Sequence, residues 1–286
     1  MVPSFSAVRR LRRALMLVAV LAVLAYAGGV IWLVTQETRI VFDAGRPLGD
    51  LRPAAPFEDV TLAESEGLRQ RLWVLRTATD ADTRPWVLYL HGNAANVASR
   101  LNILHCERLR GLGLNVLAAE YRGFGGMAGV PTEAGLDADA RSAYEYLRQT
   151  LHADPRRVII YGWSLGSAVA VDLASHVDKA AVILEGAPAS LVAIGERRYP
   201  YFPIRLLIRN PFESIRKIDR VGSPVLFLHS PEDSVIPFLE GRKLFAAAPA
   251  PKQFVEVSGG HVYAVEKDPK FFPAIRAFLQ AQRLLR

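Results

Sequence analysis

The chain has 286 residues, 51% of them apolar, which is enough for one large domain or two small ones and excludes wholesale disorder. Its formal net charge is +7, but Arg9, Arg10, Arg12 and Arg13 carry much of that, and no basic run interleaves with aromatics, so a nucleic-acid module is excluded. The single cysteine, Cys106, rules out an intrachain disulfide and a cysteine-based zinc site; it reads as a small buried hydrophobe.

Residues 14–34 carry no charge and, at about 1.5 Å per residue, are long enough to cross a hydrocarbon core of about 30 Å. The arginines within residues 1–13 lack acidic company, so the positive-inside rule puts the amino terminus in the cytoplasm and the rest of the chain across the membrane, with Trp32 near the far interface. A cleaved signal peptide is the competitor, because Ala25-Tyr26-Ala27 has the small-x-small pattern before Gly28. The apolar run continues through Val30-Ile31-Trp32-Leu33-Val34, beyond signal length, and favours an uncleaved anchor. Both readings put the following domain outside the cytoplasm. Arginine outnumbers lysine and alanine is abundant, a bias of GC-rich bacterial genomes, for which that side is the periplasmic face of the inner membrane.

Residues 35–56, mixed and rich in Pro, Gly and charge, read as a linker that folds back onto the domain formed by 57–286. Residues 57–62 and 68–75 alternate apolar with polar around Ser65-Glu66-Gly67, which predicts an antiparallel hairpin at the edge of a sheet. Trp86-Val87-Leu88-Tyr89-Leu90 is a buried-strand pattern ending in His91-Gly92-Asn93. A helix over about 96–110 and a strand over 115–121 follow, then Arg122-Gly123-Phe124-Gly125-Gly126, which lacks the spacing of a phosphate-binding loop. Arg122 reads as an ion-pair anchor for that loop. Thr132 caps a helix running to about residue 150, on which Asp137, Asp139 and Glu145 form a solvated face rather than a metal site.

The centre of the sequence is Val158-Ile159-Ile160-Tyr161-Gly162-Trp163-Ser164-Leu165-Gly166-Ser167, a β-branched strand running into Gly-x-Ser-x-Gly and then a helix. Cβ atoms two residues to either side of the serine would collide in so sharp a turn, so the glycines mark Ser164 as the candidate nucleophile. An acyl-transfer reaction needs two N–H groups aimed at its oxyanion; Leu165, after the serine, and Asn93, beside Gly92, are the candidates. After a strand at 180–185 the strand-helix rhythm breaks over 187–218, an aromatic and proline-punctuated insertion that reads as a cap over the site touching an acyl chain or a membrane, or as an extra packed helix.

The strand ending at Leu228 leads to His229-Ser230-Pro231-Glu232-Asp233, where Asp233 is preferred over Glu232 and Asp219 as the carboxylate that orients a histidine. Gly259-Gly260-His261 follows the next strand on a flexible turn, and His261 is the candidate general base. His105, His152 and His176 read as structural or solvated, without partners, and His229 as a brace for the acid loop. Strands alternating with helices predict a mostly parallel sheet covered on both faces, with a helix over 269–285 closing the chain.

His91-Gly92-Asn93, Tyr121-Arg122-Gly123-Phe124-Gly125 with Pro131-Thr132-Glu133, Gly162-Trp163-Ser164-Leu165-Gly166, Asp233 and Gly259-Gly260-His261 together resemble the α/β-hydrolase superfamily, in particular membrane-anchored relatives of acyl-protein and lysophospholipid hydrolases. The resemblance covers residue 36 to the carboxyl terminus. It implies an α/β-hydrolase fold with a small cap, a Ser164–His261–Asp233 triad, no cofactor, and hydrolysis of carboxylic esters or thioesters of small or lipid-like acyl substrates. A peptidase or amidase on the same triad is the alternative chemistry, and a catalytically silent tethered binding domain the alternative of another class.

Overall fold

A computed structural model of the chain describes residues 5–63, 68–78 and 80–286. The turn expected at Ser65-Glu66-Gly67 lies outside the described residues. Helix α1, Phe5–Phe42, is apolar over the stretch expected to cross a membrane and exposed over residues 8–28. It does not stop at residue 34: the first eight residues of the expected linker, 35–42, continue the helix. Their polarity comes from a helix leaving the apolar stretch with one face on the domain. Leu33, Glu37 and Phe42 are buried there, roughly one turn apart, while Trp32 is exposed. The helix ends where Asp43 and then Gly45 take positive φ, 41° and 94°.

Strands β1, Glu58–Ala63, and β2, Arg69–Leu75, pair antiparallel with Glu58 opposite Val74. They are followed by β3, Trp86–Leu90; helix α2, Arg100–Gly111; β4, Asn115–Ala119; and α3, Glu133–Gln149. Then come β5, Val158–Trp163; α4, Leu165–Ala174; and β6, Ala181–Glu185. The insertion holds two short helices, α5, Leu191–Arg198, and α6, Ile204–Leu207. The chain closes with β7, Val225–His229; α7, Phe238–Ala247; β8, Lys252–Glu256; α8, Gly260–Lys267; and α9, Phe271–Ala281. The eight strands form one sheet in the order β1-β2-β4-β3-β5-β6-β7-β8, antiparallel at β1-β2-β4 and parallel from β4 through β8.

Alternation along each strand builds a core on either side of the sheet. Leu88 and Leu90 of β3 join Leu136 and Ala140 of α3 and Val169 and Leu173 of α4, whereas Val87 and Tyr89 join Cys106 and Leu109 of α2 and Phe271 and Phe278 of α9. Each such leucine, fully buried, contributes about 1.5–3 kcal/mol relative to exposure. With both faces covered, the loops at the carboxyl ends of β3, β5, β6, β7 and β8 are the places where polar side chains can converge.

Polar readings are corrected at four residues. Asp137 is partly buried, with its Oδ1 out of solvent, and His176 has a partner, its Nδ1 lying 2.8 Å from the Asp172 carbonyl. The other two are Asp139 and His105. Asp139 is buried, not solvated: its carboxylate accepts the Arg122 backbone N–H at 2.8 Å and the Arg122 Nε–H at 2.9 Å, so it and the expected anchor Arg122 form one clasp on the loop after β4. His105 has partners, with Nδ1 at 2.7 Å from the Leu101 carbonyl and Nε2 at 2.9 Å from Glu185 Oε2. Glu145 is exposed as expected.

Candidate active site

Ser164 sits between β5 and α4 with φ 54° and ψ −120°, a strained conformation for a residue with a Cβ. The turn survives because its flanks are glycines. A Cβ on Gly162 would lie 2.3 Å from the Gly166 carbonyl, and one on Gly166 only 2.1 Å from the Leu90 carbonyl. The backbone N–H of Ser164 donates to the Glu185 carbonyl at 2.8 Å, and the Ser167 hydroxyl donates to the Ser164 carbonyl at 2.5 Å, which pins the turn from both sides.

Ser164 Oγ lies 2.8 Å from His261 Nε2, and His261 Nδ1 lies 2.7 Å from Asp233 Oδ2. All three side chains are largely buried, with Ser164 5% exposed. Asp233 Oδ1 accepts the N–H groups of Val235 at 2.9 Å and Ile236 at 2.7 Å, while His229 Nε2 approaches Oδ2 at 3.4 Å. Burial alone would raise the Asp233 pKa. Hydrogen bonds from His229, His261 and the Ile236 N–H override it and hold the carboxyl well below its ordinary value. Glu232 and Asp219, the other acids weighed, are exposed.

Two residues tune the loops that meet here. Gly186, at the end of β6 with φ 56°, leaves room for the pair: a Cβ would stand 3.2 Å from His261 Cε1 and 3.5 Å from Asp233 Oδ2. Ser230 Oγ accepts the N–H groups of Glu232 at 3.2 Å and Gly260 at 3.1 Å, tying the acid loop to the histidine loop.

On the other side of Ser164, a Cβ on Gly92 would come within 3.1 Å of the serine Cβ, so the loop after β3 is in contact with the elbow. The N–H groups of Asn93 and Leu165 have no protein acceptor among the described residues. Leu165 opens α4, where the first N–H groups are unpaired by construction and the helix dipole favours negative charge. Asn93 is held by the end of α1, its Nδ2 donating to the Val41 carbonyl at 3.1 Å and the next residue's N–H, that of Ala94, to the Phe42 carbonyl at 3.1 Å. His91 is clamped beneath, with Nδ1 at 2.7 Å from the Gly92 carbonyl and Nε2 at 2.8 Å from Glu120 Oε1. Cys106, the lone thiol, is buried, and burial pushes its pKa up. Among the described residues no group of three His, Cys, Asp or Glu is placed to hold a metal ion.

An apolar cavity of about 360 Å³ begins beside this constellation. It meets Asn93 on one side and Val235 and Ile236 of the acid loop on another. Its other walls come from α5 and α6, with Leu191, Ile194 and Ile204, and from Leu33, Ile40 and Val41 of α1. The contribution of α1 was not legible in the sequence, where residues 35–56 looked like a linker; the helical spacing of Leu33, Glu37, Ile40 and Val41 was the available signal.

The sequence profile described as "Alpha/beta hydrolase family" matches residues 87–252. The chain belongs to the alpha/beta hydrolase family. This α/β-hydrolase is 36% identical over 282 residues to an uncharacterized protein of Mycobacterium tuberculosis, across 96% of this chain and 97% of the relative. It is 32% identical over 198 residues to the human Alpha/beta hydrolase domain-containing protein 17B, across 68% of this chain and 66% of that protein. Among solved structures, an esterase of Pyrococcus furiosus superposes with a TM-score of 0.71 at 17% identity, covering 84% of this α/β-hydrolase and 97% of the esterase. Est1E of Butyrivibrio proteoclasticus with ferulic acid bound gives 0.66 at 16% identity, covering 78% and 99% of the two chains. At such identities the likeness carries the fold.

Proposed function

We propose that this α/β-hydrolase is a membrane-tethered serine hydrolase of carboxylic esters or thioesters. The observation that carries the proposal is the unbroken hydrogen-bonded chain from Ser164 Oγ through His261 to Asp233, at 2.8 Å and 2.7 Å. In this reading His261 Nε2 takes the Ser164 proton as Oγ attacks the substrate carbonyl, and Asp233 holds the ring with Nδ1–H toward its carboxylate and stabilises the imidazolium. The N–H groups of Asn93 and Leu165 bind the oxyanion; two such donors are each worth about 3–4 kcal/mol of barrier lowering in a water-poor site. His261 then protonates the leaving alcohol or thiol. Water enters and attacks the acyl carbonyl as it gives a proton to His261, which returns that proton to Ser164 Oγ as the C–Oγ bond breaks and the acid leaves. No step calls on a metal or organic cofactor.

Anchoring belongs to the same proposal. Helix α1 is long and apolar enough to span a bilayer, and the arginines at its start favour a cytoplasmic amino terminus, leaving the domain on the extracytoplasmic side. Labelling of the full chain by a fluorophosphonate, together with a hydrolysis screen over esters, thioesters, lysophospholipids and peptides, tests the chemistry. Wild type is expected to label and turn over esters or thioesters, with Ser164→Ala doing neither. Undiminished turnover by Ser164→Ala would discard the reading.

A further inference from the structure

We propose that the last turns of the anchor helix are a substrate-recognition element, with Ile40, beside Leu33 and Val41, forming the wall of the cavity that measures the substrate's acyl chain. The inference rests on the hydrolase reading for its reacting centre and adds that chain-length selectivity is built partly from the anchor.

Three observations carry it. First, the cavity is continuous with the loops that surround Ser164, since Asn93, Val235 and Ile236 line it, and its remaining walls are mostly aliphatic, with Glu37, Arg198 and Tyr199 the polar residues among them. An occupant that reaches the serine and is recognised by such walls is an alkyl chain attached to the scissile carbonyl. Second, α1 is fixed as a wall. Glu37, 8% exposed, accepts the Arg209 N–H and Nε–H at 2.7 Å each, the Asn210 N–H at 2.9 Å and its Nδ2–H at 3.0 Å, clasping the helix to the segment after α6. Third, the insertion follows the anchor back toward the bilayer. Phe202 stacks on Tyr26 with ring centroids 5.3 Å apart and lies against Gly29, where a Cβ would sit 2.7 Å from the ring. Tyr26 is eight residues before Val34, about 12 Å into the apolar stretch. The cap thus carries Tyr201 and Leu206, 86% and 83% exposed, beside the lipid-facing part of the helix. An acyl chain held in the outer leaflet meets the cavity without crossing water.

Helix geometry supplies an internal control. Ile31 lies about half a turn from Ile40, nine residues at about 100° each, and is 63% exposed on the face away from the domain. The test uses the full chain in lipid nanodiscs and p-nitrophenyl acetate, octanoate and laurate. Ile40→Trp, and Ile194→Trp on the opposing wall, are expected to lower the laurate-to-acetate ratio of kcat/KM about tenfold, and Ile31→Trp to leave that ratio in place. Where a tryptophan lowers the melting temperature, phenylalanine at the same position is measured instead. A ratio that Ile40→Trp moves no further than Ile31→Trp overturns the proposal, whatever the absolute rates.

A second arm does not depend on turnover. The Ser164→Ala chain in nanodiscs is irradiated with a diazirine-bearing fatty acid, and crosslinks are mapped by mass spectrometry. Adducts at Ile40 and on α5 that unlabelled fatty acid competes away, with uncompeted adducts at Ile31, support the cavity as the chain site. Equal competition at both faces, or none, overturns it. If wild type cleaves no ester or thioester, the hydrolase reading falls and this arm alone decides the anchor's role.

Discussion

The carbonyl oxygen of Phe42, in the last turn of the apolar amino-terminal helix, accepts the backbone N–H of Ala94 at 3.1 Å. A helix ends with four carbonyls lacking intrahelical partners, and here the loop carrying Asn93 satisfies two of them, at Val41 and Phe42. The helix that is long and apolar enough to span a membrane therefore also braces the loop that faces Ser164.

Glu37 is the polar half of that brace. Replacing it by alanine strands four donors, two of them on the arginine whose side chain is partly solvated, and is expected to lower stability by about 2 kcal/mol. For a domain of this size that is a fall of roughly 4–8 °C in melting temperature. Thermal unfolding of the full chain in detergent is the measurement, and a melting temperature within a degree of wild type refutes the brace. Glu37→Gln, which keeps an acceptor oxygen, should fall between the two.

Asp233→Asn should lower kcat on a short ester by roughly 10³–10⁴-fold, because an amide no longer favours the Nδ1–H tautomer of His261. A loss under tenfold removes Asp233 from the proposed triad. The same substitution has a pH signature. The folded carboxyl is held below its ordinary value, so it adds stability above about pH 4 and loses it as the pH falls below that toward the depressed value. Acid unfolding of Asp233→Asn should therefore be shallower than that of wild type, followed by circular dichroism.

Asp137 behaves in the opposite sense. Burial, reinforced by the neighbouring Asp172 carboxylate, raises its pKa to about 8, and its Oδ1 is buried without a hydrogen-bond partner among the described residues. A folded pKa above the unfolded one makes an acid cost stability as the pH rises from about 4 through 8. Asp137→Asn should leave stability near wild type at pH 4 and raise it increasingly toward pH 8, by on the order of 1 kcal/mol. Denaturant melts at the two pH values check this, and an equal effect at both would refute it.

Gly166→Ala places a methyl where the Leu90 carbonyl is 2.1 Å away, between the Ser164 turn and the strand leading to the Asn93 loop. Both neighbours are backbone and cannot rotate aside, so overpacking by about 3 kcal/mol or more is expected. The variant should express poorly, and any folded fraction should label weakly with fluorophosphonate. Wild-type yield and labelling would show that the turn is looser than described.

Much of the fold and the site was legible in the residues because strands buried on both faces and sharp glycine turns leave local signatures. The continuous apolar runs of β3, β5 and β7, the glycines around Ser164, and the turn before His261 each follow from sterics within a few residues. Strand pairing then brings the loops after β5, β7 and β8 to one end of the sheet, which is why an order of motifs along the chain anticipated a cluster in space.

What the sequence did not disclose are relations whose partners lie far apart and whose residue types are ambiguous alone. A polar residue after an apolar helix looks like the start of a linker, yet Glu37 is buried because Arg209 and Asn210, far along the chain, come to meet it. Asp139 on a helix looks solvated until the loop after β4 lays Arg122 across it, and His105 looks idle until β6 supplies Glu185. Periodicity and local sterics are written within a turn or a strand, so the sequence alone determined a long apolar helix, a covered parallel sheet and a serine on a strained turn. Which buried charge finds which donor is decided only when distant segments pack, and that tertiary step made the end of α1 a wall of the cavity beside Ser164.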